Sequence, residues 1–305
     1  VSRQAVLKHM HTLISENQVI AHGKTRDRFY ELRTQLSFNK TIKVDHNFSA
    51  SEIMKRYVLP HLSKLPNNVA EIIKFSMGAL FQNIKDHSNS NKMFFKLYFN
   101  HDCFHAIIRD NGKGLFGHIS STNNLGSIHN AAIELVKGGV TTDKENHSGY
   151  ELKAVMHLFD SFMIESNGMY LDYNHNDQSY ISGESAQLQG TRMHFKISPF
   201  SKRTCHEIFK KIFDIENKTL LLPINLLTIS DSDQINSRDQ AREILTNIID
   251  SKKIRLDFNG VNLISPAFAD ELIRKIKKTD PNIEIQWINS NETIDMMMSH
   301  FLKRL

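Results

Sequence analysis

A helix, two strands and a glycine-containing loop follow one another between residues 71 and 114. Apolar residues recur at helical spacing over residues 71–87, which predicts a helix of roughly five turns. Two strand-like runs at residues 93–99 and 103–109 come next and lead into the loop Asp-Asn-Gly-Lys-Gly that begins at Asp110. Each element has an apolar face to bury, so the segment predicts a mixed α/β domain.

The rest of the chain shows two smaller patterns. Residues 1–32 read as a helix followed by a hairpin with Gly23 at its turn, and the polar residues 40–47 look like a linker. After residue 216, helices and strands alternate again, which indicates a small α/β sheet domain. Because 305 residues suffice for two or three domains, we expect divisions at 1–44, 45–215 and 216–305.

Composition excludes several classes of protein. The apolar fraction of 40% and the charged fraction of 23% are typical of globular proteins, which excludes wholesale disorder, collagen and coiled coil. The longest apolar stretch, near Leu220, is far shorter than the ~18 residues of a membrane span. No apolar signal segment follows a charged start, so we expect a cytoplasmic protein without a membrane partner. Two cysteines exclude a disulfide framework.

The net charge of +5 is concentrated at one end of the chain. Eight Lys or Arg and three acidic residues lie among residues 1–44, so the remaining chain is neutral overall. A basic end on a neutral body indicates a polyanionic partner, and a solvated basic face explains the charge equally well.

Five short motifs occur in one order within residues 51–198. They are Asn-Ile-Lys-Asp-His-Ser from Asn83, the Asp110 loop, Gly-Gly-Val-Thr-Thr from Gly138, His-Ser-Gly-Tyr from His147, and Gly190-Thr191. This series resembles the Bergerat-type ATP-binding fold of the GHKL superfamily, which includes gyrase, chaperone, histidine kinase and mismatch-repair ATPases. The resemblance implies an α+β sandwich that binds ATP or ADP with Mg²⁺.

The resemblance also implies roles for individual residues. Asn83 would hold the Mg²⁺ that bridges the phosphates, because a hard cation prefers oxygen ligands. Asp110 would accept a hydrogen bond from the adenine amino group, and residues 115–146 would contain a mobile lid. The implied nucleotide-binding residues are Asn83, His87, Asp110, Gly112, Gly114, Thr141, Thr142, His147, Ser148, Gly149 and Thr191. No histidine pair has convincing spacing for another metal site.

Two positions depart from the GHKL pattern. The active enzymes of the superfamily carry a glutamate general base four residues before the asparagine, and Ala79 occupies that position. Glu151 replaces a glycine of the phosphate loop. The resemblance predicts that nucleotide binds, and these two departures predict weak or no ATPase activity.

The N-terminal segment resembles the second half of a winged helix. Residues 2–10 are similar to a recognition helix and residues 23–32 to a wing, and the two helices that precede them in that fold are not in this sequence. Binding to double-stranded DNA would then involve the helix and the wing. A dimerisation or packing module is the alternative. The implied DNA-binding residues are Ser2, Arg3, Gln4, Lys8, Lys24, Arg26 and Arg28.

The C-terminal segment, most of residues 220–305, is similar to the STAS-like domain found behind GHKL modules in bacterial regulators. A serine at the start of a helix is phosphorylated in the anti-anti-sigma members of that group. Here Pro266 and Ala267 occupy that neighbourhood and Ser265 precedes them. Asp257, Asp270 and Glu271 are common capping and dipole partners as well as candidate acids.

Together these patterns predict a nucleotide-responsive cytoplasmic regulator of three modules. Nucleotide would order the lid and alter the binding of DNA or of a protein partner through the STAS-like domain, in a monomer or a homodimer. An ATPase or protein serine kinase with a substitute general base is the first alternative. A pseudo-ATPase scaffold that binds no nucleotide is the second.

Overall fold

A computed structural model describes most of the chain. The described residues are 2–33, 36–99, 102–138, 149–212, 219–227, 234–245 and 251–304. Four residues with an expected role in nucleotide binding, Thr141, Thr142, His147 and Ser148, lie outside them.

The N-terminal module consists of one helix and one antiparallel hairpin. Its elements are α1 (Arg3–Ser15), β1 (Val19–His22) and β2 (Phe29–Leu32). The side chain of Ser2 caps α1 by accepting the amide N–H of Ala5 at 3.2 Å. No side chain of α1 is buried, and Val19 is buried in the hairpin. The predicted helix and hairpin are confirmed, with little core of their own.

The central module is built on a seven-stranded antiparallel sheet. The strand order is β3-β4-β5-β9-β6-β7-β8. Its elements in chain order are β3 (Leu36–Lys43), α2 (Ala50–Ile53), α3 (Asn67–His87), β4 (Lys92–Phe99), β5 (Phe104–Asp110), α4 (Leu115–Thr122), α5 (Ile128–Lys137), α6 (Glu151–Leu158), β6 (Ser161–Ser166), β7 (Met169–Asn174), β8 (Ser179–Glu184), β9 (Thr191–Ile197) and α7 (Cys205–Ile212).

Two details of the central sheet differ from the sequence-based expectation. The linker predicted at residues 40–47 is wrong in its first half, because β3 runs along the sheet edge and pairs with β4. Phe38 and Ile42 pack against the core while the alternate side chains are exposed. Because one face of this edge strand is exposed to solvent, its sequence is largely polar and resembles a linker. Four strands follow α6 where three were expected, and β9 returns between β5 and β6.

The long helix α3 covers the sheet with an apolar face. Its buried side chains include Ile72, Met77, Leu80 and Ile84, which recur at three- to five-residue intervals. The basic side chains Lys85 and His87 lie in its last turn, where cations interact favourably with the helix dipole. This periodicity is the reason that the predicted helix over residues 71–87 is confirmed and extends one turn earlier.

The C-terminal module has a three-stranded parallel sheet in the order β10-β12-β14. Helix α9 begins at Pro266, and Ser265 caps it by accepting the amide N–H of Phe268 at 3.1 Å. The predicted small α/β domain is confirmed. Its elements are β10 (Thr219–Pro223), β11 (Gln234–Ile235), α8 (Arg238–Ile244), β12 (Lys253–Asp257), β13 (Leu263–Ile264), α9 (Pro266–Thr279), β14 (Glu284–Ile288) and α10 (Glu292–Leu302).

Helix α5 connects the central and C-terminal modules. It packs against β10 and α8. A ring nitrogen of His129 on α5 contacts the carbonyl oxygen of Leu226, and the amide of Asn225 donates to the carbonyl oxygen of Tyr180 on β8. Glu134 and Lys137 form an ion pair buried at this junction. The C-terminal module is therefore held against the element that directly precedes residues 139–148.

Candidate functional site

A cleft of about 790 Å³, partly open to solvent, lies between α3, the Asp110 loop, α4 and the start of α6. Most of the surface area that its lining exposes is apolar, and polar side chains lie among the apolar ones, which is the composition of small-molecule sites. Apolar walls come from Leu80, Ile84, Leu115, Ile119, Leu152 and Met193. Six of the sequence-predicted residues also line it, namely Asn83, His87, Asp110, Gly114, Gly149 and Thr191.

Asp110 is the buried carboxylate of this cleft. It ends β5, is 4% exposed, and accepts the amide N–H of Gly112 at 2.8 Å. Burial raises its pKa, and hydrogen bonds from Gly112 and Thr191 partly oppose the rise. A carboxylate fixed in this way presents an acceptor to a ligand amino group inside an apolar cleft.

Two glycines allow the backbone to pass close to other groups. A Cβ at Gly112 would lie 2.1 Å from the carbonyl oxygen of Ser88, which ends α3, and a Cβ at Gly190 would lie 2.2 Å from the carbonyl oxygen of Asp110. Gly112, an implied nucleotide-binding residue, therefore packs on the carbonyl oxygen of Ser88 and is not among the residues that line the cleft. Gly190 has a φ of 80°, which favours glycine.

The start of α4 is held by side chains from a distant hairpin turn. The amide N–H of Leu115 donates to the hydroxyls of Ser166 at 2.8 Å and Thr191 at 3.0 Å. The amide N–H of Gly117 donates to Oδ1 of Asn167 at 2.9 Å. Ser166 and Asn167 were missed by sequence reasoning because Ser-Asn-Gly reads as an ordinary turn. Thr191 acts on both Asp110 and α4, which gives it a positioning role.

Asn83 and His87 lie one turn apart on the face of α3 that lines the cleft. Asn83 is half-buried where α3 lines the cleft, and its amide oxygen is a possible acceptor or metal ligand there. Ala79 precedes it by one turn on the same helix. Asp86 is exposed and accepts the amide of Gln82 at 2.9 Å, so it does not supply a base to the cleft.

The residues present fit a magnesium ion that arrives with phosphates. Within the described ranges, no group of three His, Cys, Asp or Glu residues is placed to hold a metal ion. The amide oxygen of Asn83 is a hard ligand of the kind Mg²⁺ prefers, and it would hold an ion that also binds the phosphates of the ligand. Glu151 begins α6 at the cleft, where the sequence resemblance expected a glycine.

The seven residues with an expected role in DNA binding are exposed. Ser2, Arg3, Gln4 and Lys8 lie in the first turns of α1, and Ser2 uses its hydroxyl as the helix cap. Lys24, Arg26 and Arg28 lie at and beside the hairpin turn between β1 and β2, and the guanidinium of Arg28 lies 5.4 Å from the ring centroid of Tyr30.

The candidate acids and the serine of the C-terminal module have structural partners. Ser265 donates its hydroxyl to the carbonyl oxygen of Asn236 at 2.7 Å while it caps α9. Glu271 accepts Arg242 at 2.8 Å, and Asp257 accepts the amide side chain of Asn289 at 2.9 Å. These contacts are those of capping, hydrogen-bonding and ion-pairing residues, as one of the two interpretations from the sequence predicts.

Comparison with known proteins bears on the C-terminal module. Residues 240–295 match the family described as a STAS-like domain of unknown function (DUF4325). A search of curated proteins found no match for the chain. Over the residues that the structure describes, no helix is both long enough and apolar enough to cross a membrane. The chain thus joins a large antiparallel sheet with its helices to a C-terminal STAS-like domain.

Proposed function

We propose that the chain is a nucleotide-responsive regulator that binds ATP or ADP in the cleft beside Asp110. The observation that carries the proposal is the buried carboxylate of Asp110 in a largely apolar cleft that Asn83 also lines. The ordered motifs that resemble the GHKL ATP-binding fold support the same assignment.

Each part of the cleft suits a different part of the nucleotide. Asp110 accepts a hydrogen bond from the adenine amino group, and apolar side chains such as Leu80 and Met193 cover the flat ring. Asn83 contributes an amide oxygen to the Mg²⁺ on the phosphates. A magnesium ion held there would neutralise phosphate charge, and Ala79 supplies no general base at the position one turn before Asn83.

The position of α5 suggests how nucleotide acts on the rest of the chain. This helix packs on β10 and α8, and a ring nitrogen of its His129 contacts the carbonyl oxygen of Leu226. The chain then passes through residues 139–148 to Gly149 and Glu151, which line the cleft. A nucleotide that binds two arrangements of these elements with different affinities would shift the equilibrium between them.

Calorimetric titration of the full chain with ATP and ADP, with and without Mg²⁺, tests the proposal. We expect both nucleotides to bind and ATP to bind more tightly with Mg²⁺. GTP is the matched control, because guanine presents a carbonyl oxygen where adenine presents its amino group and the Asp110 carboxylate would face another acceptor. Absence of binding by ATP and ADP, or equal binding of GTP, contradicts the assignment.

Binding of double-stranded DNA is the second candidate function, favoured by one observation. The whole net charge of the chain lies in residues 1–44, and the basic side chains of the hairpin, Lys24, Arg26 and Arg28, are exposed. Exposed Lys and Arg side chains can neutralise the phosphates of a duplex, which releases counterions and favours binding.

Replacement of Lys24, Arg26 and Arg28 by glutamine should weaken duplex binding at every sequence. The slope of log affinity against log salt should fall by about 0.9 for each phosphate that the variant no longer neutralises, because fewer counterions are released. Fluorescence anisotropy with labelled duplexes at several salt concentrations measures both effects.

A triple variant with the same loss of charge elsewhere controls for net charge. Lys74, Lys275 and Lys278 are exposed on α3 and α9, and their replacement by glutamine should leave the salt slope near that of the parent. Equal slopes for the parent and the hairpin variant would show that the hairpin is not a DNA-binding wing.

A further inference from the structure

A second cleft, of about 1680 Å³ and partly open to solvent, separates the central module from the STAS-like domain. Helices α6 and α7 form one wall, through residues such as Lys153 and Lys211. Strands β10, β12 and β14 form the other, through residues such as Arg255. This cleft lies on the far side of α6 from the first one, since Glu151 and Leu152 line only the first.

The described lining of this second cleft is strongly basic. Its five cations are Lys153, Lys211, Lys252, Lys253 and Arg255, and its two carboxylates are Asp257 and Glu284. Lys253 pairs with Glu284 at 3.2 Å, and Asp257 accepts the backbone amide of Asn259 at 3.0 Å. Asp257 keeps its negative charge under these hydrogen bonds, and the described lining still has three more cations than carboxylates.

The remaining cations lack carboxylate partners among the described residues. The ammonium of Lys153 donates to the carbonyl oxygen of Lys137 at 3.0 Å, and that of Lys211 to Oε1 of Gln178 at 3.1 Å. The Nε of Arg255 is buried and has no hydrogen-bond partner within the described chain. Removal from water lowers the pKa of Lys153 to about 8. Buried donors without partners are costly, and an anion would satisfy them.

We propose that this cleft is a binding site for a small ligand that carries two or more linked phosphates. Arg255 offers a planar guanidinium that matches phosphate oxygens, and Lys211 and Lys252 approach from the two walls as point charges. Five cations from both modules favour a polyvalent anion over a single carboxylate. A ligand held in this way would contact both modules at once. Its binding does not require a nucleotide in the first cleft.

Titration calorimetry of the full chain with inorganic pyrophosphate tests the proposal. We expect saturable binding that Arg255→Gln weakens about tenfold or more, because a charge-assisted hydrogen bond is removed. Lys211→Gln should weaken it similarly, and because Lys211 is exposed on α7 this variant keeps its fold. Lys202→Gln, which removes an exposed charge just before α7, is the matched control and should bind as the parent does.

Two further titrations distinguish this site from the first cleft and from a general attraction for anions. Asn83→Ala should leave pyrophosphate affinity unchanged, because Asn83 lines the other cleft. Citrate should bind far more weakly than pyrophosphate, and a nucleoside diphosphate added to Asn83→Ala distinguishes an organic phosphate from the free anion. Affinity that falls with Asn83→Ala and survives Arg255→Gln, equal binding of citrate, or no binding of pyrophosphate would overturn the proposal.

Discussion

Asp110→Asn is expected to reduce the affinity for ATP and ADP by roughly fivefold to a hundredfold. The substitution places an amide opposite the adenine amino group, and loss of a buried hydrogen bond costs about 1–3 kcal/mol. The side chain keeps its size, and its oxygen can still accept the amide N–H of Gly112. Titration calorimetry of both proteins measures the effect. Unchanged affinity in the variant would remove Asp110 from the adenine-binding role.

The same substitution should stabilise the protein when nucleotide is absent. Burial raises the pKa of Asp110 above its ordinary value of 3.8, so the ionised form is disfavoured in the folded state. The contribution of this carboxyl group to the free energy of unfolding is fully present below pH 3.8. It is lost as the pH rises through the raised pKa of the folded state. Asparagine does not titrate, so the variant should unfold at a higher temperature than the parent at pH 7, and the difference should shrink towards pH 4.

A surface carboxylate provides the control for that stability measurement. Asp86 is exposed on α3, and Asp86→Asn should neither raise the unfolding temperature at pH 7 nor change nucleotide affinity appreciably. If Asp110→Asn is less stable than the parent at pH 7, the hydrogen bonds from Gly112 and Thr191 outweigh the cost of burying the charge.

Hydrolysis of ATP by this chain is expected to be very slow or absent. A positioned general base contributes about 10²–10⁴-fold to a rate, and Ala79 occupies the position where the GHKL pattern has that base. Release of phosphate from ATP with Mg²⁺ measures turnover. Robust release that Asn83→Ala abolishes would establish an enzyme and overturn the regulator proposal.

The substitution Ala79→Glu tests whether the other residues of the cleft can support hydrolysis of ATP. The new carboxylate would lie one turn before Asn83 on the same helix, and a gain of turnover is expected if the phosphates are placed within its reach. Gln82→Glu adds a carboxylate to the exposed side of α3 and should give no gain. Equal activity in the two variants would show that the gain does not come from a base in the cleft.

Sequence patterns predicted the elements that have strong periodicity. Helix α3 repeats its apolar face over several turns, and the loop after β5 combines an acid with glycines, so Asn83 and Asp110 could be assigned to one region. The last residues of β3, 40–43, look like part of a linker in the sequence because the strand lies at the sheet edge and one of its faces is polar.

Contacts made by tertiary packing left no local signal. Ser166 and Asn167 hold the start of α4 from a turn between β6 and β7, and nothing in a Ser-Asn-Gly sequence distinguishes that turn from others. Arg255 and Lys153 face one cleft although they belong to different modules, so no spacing along the chain could relate them. The contact between Gly112 and the carbonyl oxygen of Ser88 is equally invisible in the sequence.

Helix α6 has a consequence for the two clefts that it separates. It is two turns long, contributing Glu151 and Leu152 to one cleft and Lys153 and His157 to the other. So short a hydrogen-bonded helix moves as a unit, and a rotation that opens one wall displaces the other. If two ligands occupy these clefts, each must change the affinity of the other by the same factor, since the two binding steps form a closed cycle. A change in the occupancy of one cleft would then change the ligand affinity of the other without any contact between the two ligands.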